Sequence, residues 1–400
     1  MQTNLASRFK QQEQAGEIDS ILRKCVHCGF CNATCPTYQL LGDELDGPRG
    51  RIYQMKQFLE GEPANAEMLK HLDRCLTCRA CETTCPSGVR YSHLLEFGKQ
   101  AIEAELPRPG WDRWRRRAIV RFINSGWLFS SALGVGRILK PLLPGRFGRA
   151  VPARQKPVAR TRSSHARKVL MLAGCVQPAL APNTNNHAIN LLGKLGIEVV
   201  ELSARLCCGA AAMHTSEPEY AMRQMKRLID AWWPHVEAGV EAIVITATGC
   251  GVSVADYGRL LAGNPDYADK ASRISALYCD LVEIVETGIE SLSPPQNSGK
   301  RVAVHTPCTM QHGLGLAGRV ERLLEKRGYE ICAVEDAHLC CGSAGTYSML
   351  QPALSTRLRT NKIRALSIDH PDIVVTANIG CQVHLAEDGS LPLRHWIELL

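Results

Sequence analysis

Hydrophobic and polar positions follow different rhythms along the 400-residue chain, and the changes of rhythm divide it. Over residues 1 to 105, apolar side chains recur at helical spacing in short runs: from Asp46 to Glu60, from Ala64 to Arg74 and from Val89 to Glu105. These runs predict short helices, with Pro48 in a first turn, where its missing N–H costs least. No alternating strand pattern occurs there. In residues 106 to 168, Pro107, Pro109, Pro141, Pro144, Pro152 and Pro157 are expected to interrupt any long element, although Trp111 to Phe122 keeps a helical period. From Lys168 onward, compact apolar runs such as Ala242 to Ala247 and Asp372 to Ala377 read as buried strands. Helical stretches alternate with them, among them Thr184 to Leu195 and Arg319 to Arg327, which indicates mostly parallel sheets. The predicted fold class is α plus α/β: a helical module (1–105), a basic, proline-containing linker or surface-binding segment (106–168), and a duplicated α/β domain (169–298 and 299–400).

The duplication is legible in the cysteines. Lys168 to Cys175 corresponds to Arg301 to Cys308, an apolar run that delivers a cysteine at its end. In each copy 31 residues then intervene before Cys207-Cys208-Gly209 and Cys340-Cys341-Gly342; a further 41 and 39 lead to Cys250 and Cys381. A spacing kept in both copies marks an internal repeat. Strand ends are where α/β folds gather ligand-binding residues, so each quartet reads as a site. Adjacent side chains diverge, so a Cys-Cys pair suits a multi-iron cluster better than one tetrahedral zinc; zinc, a redox dithiol and buried thiols remain the alternatives. Cys279 and Cys332 lack counterparts and read as small core side chains.

The helical module holds a second, denser pattern. Cys25, Cys28, Cys31 and Cys35-Pro36 are spaced C-x2-C-x2-C-x3-C-P, and Cys75, Cys78, Cys81 and Cys85-Pro86 repeat the spacing. Three thiolates two residues apart wrap one face of a [4Fe–4S] cubane, and in two-cluster ferredoxins the fourth cysteine ligates the other cluster. This assigns Cys25, Cys28, Cys31 and Cys85 to one cluster, and Cys75, Cys78, Cys81 and Cys35 to the second. Structural zinc and disulfides are the weaker readings. The N-terminal residues show no apolar leader, so the thiols are expected to be cytoplasmic and reduced.

Charge singles out the middle. Between Arg108 and Lys168 there are sixteen Lys or Arg and one acid, Asp112, a local balance of +15 in a chain of +8. Arginines interleaved with Trp111, Trp114 and Phe122 suit an anionic membrane surface or an acidic partner; a solvated linker is the plainer reading, and no recognition module supports nucleic-acid binding. Phe122 to Gly136 is too short and polar to span a bilayer. Gly313-Leu314-Gly315-Leu316-Ala317-Gly318 matches a dinucleotide fingerprint. Its glycines, however, begin seven residues after Thr306 instead of turning straight out of the strand, which argues against that use.

Together these residues resemble a known family. Cys25-Val26-His27-Cys28-Gly29-Phe30-Cys31, Asp46-Gly47-Pro48-Arg49-Gly50-Arg51, Asp230-Ala231-Trp232-Trp233-Pro234 and Thr376-Ala377-Asn378-Ile379-Gly380-Cys381 look like the iron–sulfur subunits of bacterial flavin-linked 2-hydroxyacid dehydrogenases, most closely those of glycolate oxidase. The resemblance implies an electron-transfer subunit with no catalytic residue of its own, at the cytoplasmic face of the inner membrane. It would be the non-substrate-binding part of an oxidoreductase acting on a CH–OH group with a non-NAD acceptor. It also implies a partner that carries FAD and oxidises glycolate, and a further flavoprotein-like subunit. D-lactate and glycerol-3-phosphate dehydrogenases are the neighbouring alternatives. A heterodisulfide-reductase-like thiol enzyme is a more distant one. In that wider family the repeats end in C-x-x-C, whereas here they end in Cys250-Gly251-Val252-Ser253 and Cys381-Gln382-Val383-His384. Ser253 is a poor iron ligand and His384 an available one, so Cys175, Cys207, Cys208, Cys250, Cys308, Cys340, Cys341, Cys381 and His384 stand as candidate further ligands.

Overall fold

Four longer helices build the N-terminal module: α1 (Ala15–Lys24), α2 (Pro48–Glu60), α3 (Ala66–Asp73) and α4 (Tyr91–Glu105). The computed structural model describes the chain apart from residues 13, 143–147, 149–150, 162, 203–204, 294 and 296–298. Pro144, Arg146, Arg149, Arg162 and the repeat border at Ser298 therefore lie outside the described residues. Pro48 opens α2, and the Asn65 side chain caps α3 by accepting from the Met68 N–H. Their apolar faces meet in one core that includes Ile18, Leu22, Met55, Phe58, Leu72, Leu94 and Ile102. Gly98 lets α4 approach α2, since a Cβ there would come within 2.6 Å of Met55 Sδ. Beneath the cysteine loops, fully buried Asp46 accepts from Arg74 at 2.6 Å and pairs with His71 Nδ1 at 2.9 Å. Arg51, equally buried, donates to the His71 carbonyl at 2.8 Å and to Thr37 at 3.2 Å.

The middle segment is more ordered than its prolines suggest. It forms α5 (Gly110–Asn124) and α6 (Gly126–Leu139), which meet at 90°. Pro107 and Pro109 precede α5 and Pro141 falls in the 3₁₀ turn Lys140–Leu142 that follows α6, so prolines bound the two helices and none lies inside either. No single helix among the described residues is long and apolar enough to cross a membrane. Arg108 and Arg116 are drawn inward to Asp73, at 2.7 and 2.8 Å, and Lys99 joins them at 2.8 Å. Trp111, Trp114, Trp127, Ile138 and Leu142 face outward.

Each α/β half is a four-stranded, wholly parallel sheet. The first runs β2-β1-β3-β4, from β1 (Arg167–Met171), β2 (Ile197–Glu201), β3 (Ala242–Ile245) and β4 (Tyr278–Asp280). The second runs β6-β5-β7-β8, from β5 (Arg301–His305), β6 (Glu330–Ile331), β7 (Ile373–Thr376) and β8 (Leu393–His395). Alternation along the strands divides the packing. Val169 and Met171 of β1 join Val302 and Val304 of β5 in a single core shared by both halves. Leu170 and Leu172 face an outer layer with Trp232, and Ala303 faces another with Leu366. Hydrogen bonds cross between the halves from the Thr248 N–H to the Ala377 carbonyl, 3.1 Å, and between His395 Nε2 and the Thr246 carbonyl, 2.8 Å. β6 is only Glu330–Ile331, so Cys332 lies just past it, buried beside Ala303 and Cys341. Gly313 ends a π-helical turn, Thr309–Gly313, and Gly315 and Gly318 follow with positive φ, Gly318 just before the helix Arg319–Lys326, so the glycines do not turn straight out of β5.

Candidate metal centres

The two cysteine loops of the helical module fold alike because both place left-handed residues at the same points. His27 and Gly29 have φ of 55° and 85°, and Thr77 and Arg79 have 52° and 61°. That curl turns side chains inward and brings Cys25, Cys28, Cys31 and Cys85 around one cavity, and Cys35, Cys75, Cys78 and Cys81 around a second. Pro48, Cys81 and Tyr91 line both, so a single layer of side chains separates them. Arg79 holds a left-handed backbone that costs a non-glycine residue on the order of 1 kcal/mol, and its guanidinium pairs with Asp256 of the first half at 2.7 Å.

The donor set fits iron–sulfur clusters. Burial, with Cys25, Cys85 and Cys28 acting in the same direction, pushes the Cys31 thiol up to about 11. Burial likewise drives Cys81 up, with Cys78, Cys75 and Cys35 adding to it. Four thiolates this close need multivalent cations between them to exist at neutral pH. Donors aimed at sulfur support the charged form: Thr77 N–H to Cys75 at 3.4 Å, Val89 N–H to Cys85 at 3.5 Å, and the Tyr91 hydroxyl to Cys75 at 3.7 Å.

The cysteine-rich halves build their sites at the switch points of their sheets, between β1 and β3 and between β5 and β7, where the connections leave in opposite directions. Cys175 follows β1 after Gly174, and Cys250 sits in the first turn of helix α7 (Thr248–Ala255). Cys308 and Cys381, the latter in helix α8 (Ile379–Ala386), occupy the matching places. The Cys-Cys-Gly glycines are required by geometry. Gly209 and Gly342 have φ of 85° and 90°, and a Cβ would come within 2.9 Å of the Ala221 carbonyl and 2.8 Å of the Ser355 carbonyl. Each turns its N–H onto the first sulfur of its pair, Cys207 or Cys340, at 3.4 Å. The structure brings Cys175, Cys207, Cys208 and Cys250 into one chain of neighbouring thiols, and Cys308, Cys340, Cys341 and Cys381 into another. His384 stands apart: it is buried one turn beyond Cys381, with Nε2 3.3 Å from Ser355 Oγ. His305, which the sequence reading passed over, lies instead within 4.8 Å of Cys341 and Cys381. Its signal was a histidine in an apolar strand where the first copy has Leu172.

One chamber of about 700 Å³ joins these parts. Cys78 opens onto it from the helical module, Cys175, Cys207 and Cys250 from the first half, and Cys308 and Cys340 from the second. Leu76 packs with Cys340, Tyr347 and Leu358, and the Tyr347 hydroxyl donates to the Arg74 carbonyl at 3.2 Å. At the far end, Cys28 is exposed beside exposed Val26 and Phe30. None of the eighteen cysteines forms a disulfide.

Comparison with known proteins agrees with this division. Residues 21–89 match a 4Fe-4S dicluster domain, and residues 169–255 and 302–386 each match a cysteine-rich domain. The chain is 49% identical, over its full length and 98% of the other protein, to the glycolate oxidase iron-sulfur subunit of Escherichia coli (strain K12). It is 27% identical to a probable glycolate oxidase iron-sulfur subunit of Bacillus subtilis (strain 168), over 95% of this chain and 91% of that protein. Lactate utilization protein A of Bacillus velezensis is 25% identical over 58% of this chain and 98% of its own length.

Proposed function

Because the chain belongs to the glycolate oxidase iron–sulfur subunit family, we propose that it passes electrons singly from a partner flavoprotein, which oxidises glycolate to glyoxylate at FAD, toward a membrane acceptor. The observation that carries this reading is the unbroken series of thiol sites from the exposed edge at Cys28, across the shared wall at Cys81 and Tyr91, to the chamber at Cys78, Cys308 and Cys340. Iron–sulfur clusters bound along that series supply one-electron carriers. Cys25, Cys28, Cys31 and Cys85 hold one [4Fe–4S] cluster and Cys35, Cys75, Cys78 and Cys81 a second; the two cysteine-rich quartets hold further iron–sulfur centres. Val26 and Phe30 give the partner an apolar edge beside the first cluster. A thiol–disulfide enzyme fits less well, since a nucleophilic cysteine needs a lowered pKa and Cys208 and Cys341 are both raised.

The same reading places the chain on the cytoplasmic face of the inner membrane, peripherally, in a complex with a further flavoprotein-like subunit. Support comes from α5, α6 and the turn that follows them, where Trp111, Trp114, Trp127, Ile138 and Leu142 lie exposed and Arg113 is exposed as well, while Arg117 pairs with Glu217 and Arg121 lies over the Tyr220 ring. Arg116 takes no part, being buried against Asp73 and Asp112. Each cation near an anionic surface contributes about 1 kcal/mol and is screened by salt. Binding to anionic vesicles should fall in high salt and with Trp114→Ser and Trp127→Ser together; equal binding to neutral vesicles would remove the electrostatic part of this reading.

The functional test is reduction by substrate. With the flavoprotein present, glycolate should reduce the cluster signals seen by electron paramagnetic resonance, and Cys28→Ala and Cys78→Ala should each remove one cubane signal and stop electron delivery. Glyoxylate formation by this chain alone with an artificial acceptor would place the active site here and overturn the assignment.

A further inference from the structure

The two cysteine-rich halves place equivalent thiols at equivalent points, yet the side chains around those thiols differ. Three residues before the strand-end cysteine stands Leu172 in the first half and His305 in the second. Ten residues after the helix-opening prolines Pro218 and Pro352 stand Leu228 and Lys362. Leu172 and Leu228 are ordinary members of the outer apolar layer. The second half has exchanged both for polar groups and kept them buried, Lys362 3% exposed and His305 2%. Such groups are costly inside a protein unless something at the site interacts with them.

Lys362 is partly accounted for: it donates to the Asp336 carbonyl at 2.7 Å and lies in the field of Cys341, Cys340 and Cys308. His305 is not. Its Nε2 is buried with no hydrogen-bond partner. Alternation along β5 puts His305 on the same side as Ala303, facing the layer that contains Cys341 and Cys381. A ring nitrogen and the two sulfurs all lie within 4.8 Å of one another.

Resting on the reading that the cysteine-rich quartets bind iron–sulfur centres, we propose that His305 is a nitrogen ligand to iron in the second-half centre, alongside Cys341 and Cys381, and that this centre has a higher reduction potential than the all-thiolate first-half centre. His305 stands where the first half has Leu172, so all four thiolates of the second half stay in place and the neutral imidazole adds no negative charge around the iron; a thiolate there would add one and lower the potential, as all-thiolate centres lie below Rieske centres. The rise over the first half comes from the buried ammonium of Lys362, which favours the reduced state and has only Leu228 as its counterpart there.

The test compares the anaerobically purified full-length protein with His305→Leu, which installs the first half's own residue, with His305→Cys, and with Cys341→Ala. Iron, acid-labile sulfide and zinc are counted, the centres are titrated potentiometrically, and pulsed electron paramagnetic resonance reads nitrogen coupling with and without ¹⁵N-labelled histidine. The expected wild-type signal disappears in Cys341→Ala, carries a nitrogen coupling that changes on histidine labelling, and lies at higher potential than its first-half counterpart. His305→Cys should keep the centre, lose the histidine coupling and shift it to lower potential, which a purely structural role for His305 would not produce. A second-half signal without histidine coupling, or one whose potential is unchanged in both His305 variants, overturns the ligand assignment and leaves the cluster reading standing. Wild-type iron no higher than two cubanes require, or stoichiometric zinc in its place, overturns the cluster reading itself.

Discussion

Replacing Asp73 with asparagine should release the α5–α6 pair from the helical module. Asp73 sits at the end of α3 with its side chain 10% exposed and faces three cations: Lys99 from α4, Arg108 from the connector and Arg116 from α5. Burial alone would raise its carboxyl, but Lys99, Arg108 and Arg116 together hold it well below the usual carboxylate range. Removing one partner of a buried ion pair costs about 3–5 kcal/mol, because the remaining charges stay buried and unpaired. Here Asp112 and Glu103 also bind Arg108, so the lower end applies, about 3 kcal/mol. That corresponds to roughly a hundredfold rise in local opening. Hydrogen exchange followed by mass spectrometry on the holoprotein reads it directly: peptides from 110–139 should exchange about a hundredfold faster in Asp73→Asn, with α1 and α2 unchanged. The pH dependence has a definite sign. A depressed native pKa contributes stability that is fully present above the ordinary aspartate value of about 3.9 and is lost as pH falls through the native value, so docking should be flat from pH 5 to 8 and weaken only in acid. Unchanged exchange in 110–139, or weakening between pH 5 and 8, would refute the argument.

Gly209→Ala and Gly342→Ala should each cost about 1–3 kcal/mol and lower iron in the corresponding half, by forcing a side chain into a left-handed backbone against a carbonyl; full iron and an unchanged melting temperature in both would contradict this. Arg79→Gly should leave the second cubane signal intact, as Gly29 does in the first motif, yet speed exchange in residues 248–260 through loss of the Asp256 pair. Asp280, the capping residue of the helix after β4, is raised to about 6, chiefly by burial, so its contribution is present at low pH and lost as pH rises through 6. Asp280→Asn keeps the cap and should stabilise the protein by about 2 kcal/mol above pH 7 but little at pH 4, measured as the difference in melting temperature.

Most of the architecture was legible because the strongest signals are long or repeated. Buried parallel strands read as uninterrupted apolar runs, and the 31-residue interval announced the duplication without help from the fold. β4 and β8 escaped because three residues carry no period, and both end in a polar cap, Asp280 or His395, whose partners Glu283 and Glu398 were the only local clue. The prolines of the middle segment were read as interruptions, although a proline beside a helix and one inside it look alike in a bare sequence. Charge misled in the same region. Arg116 counts toward a basic face, but of the two acids that capture it only Asp112 is near in sequence, and Asp73 lies 43 residues away. His384 drew attention by occupying a cysteine's place in a motif, and His305 did not, because the strand it ends is otherwise apolar.

The core common to both sheets gives the halves a joint fate. Val169 and Met171 from one copy rest on the same cluster as Val302, Val304 and Trp396 from the other, so each copy relies on its neighbour to cover one face of its sheet. The duplicated halves therefore form a single cooperative unit. Either half expressed alone would expose a whole apolar sheet face. A cavity cut on one side, for instance at Val304, would loosen the thiol site on the other, so the two sites diverge in chemistry while sharing one reserve of stability.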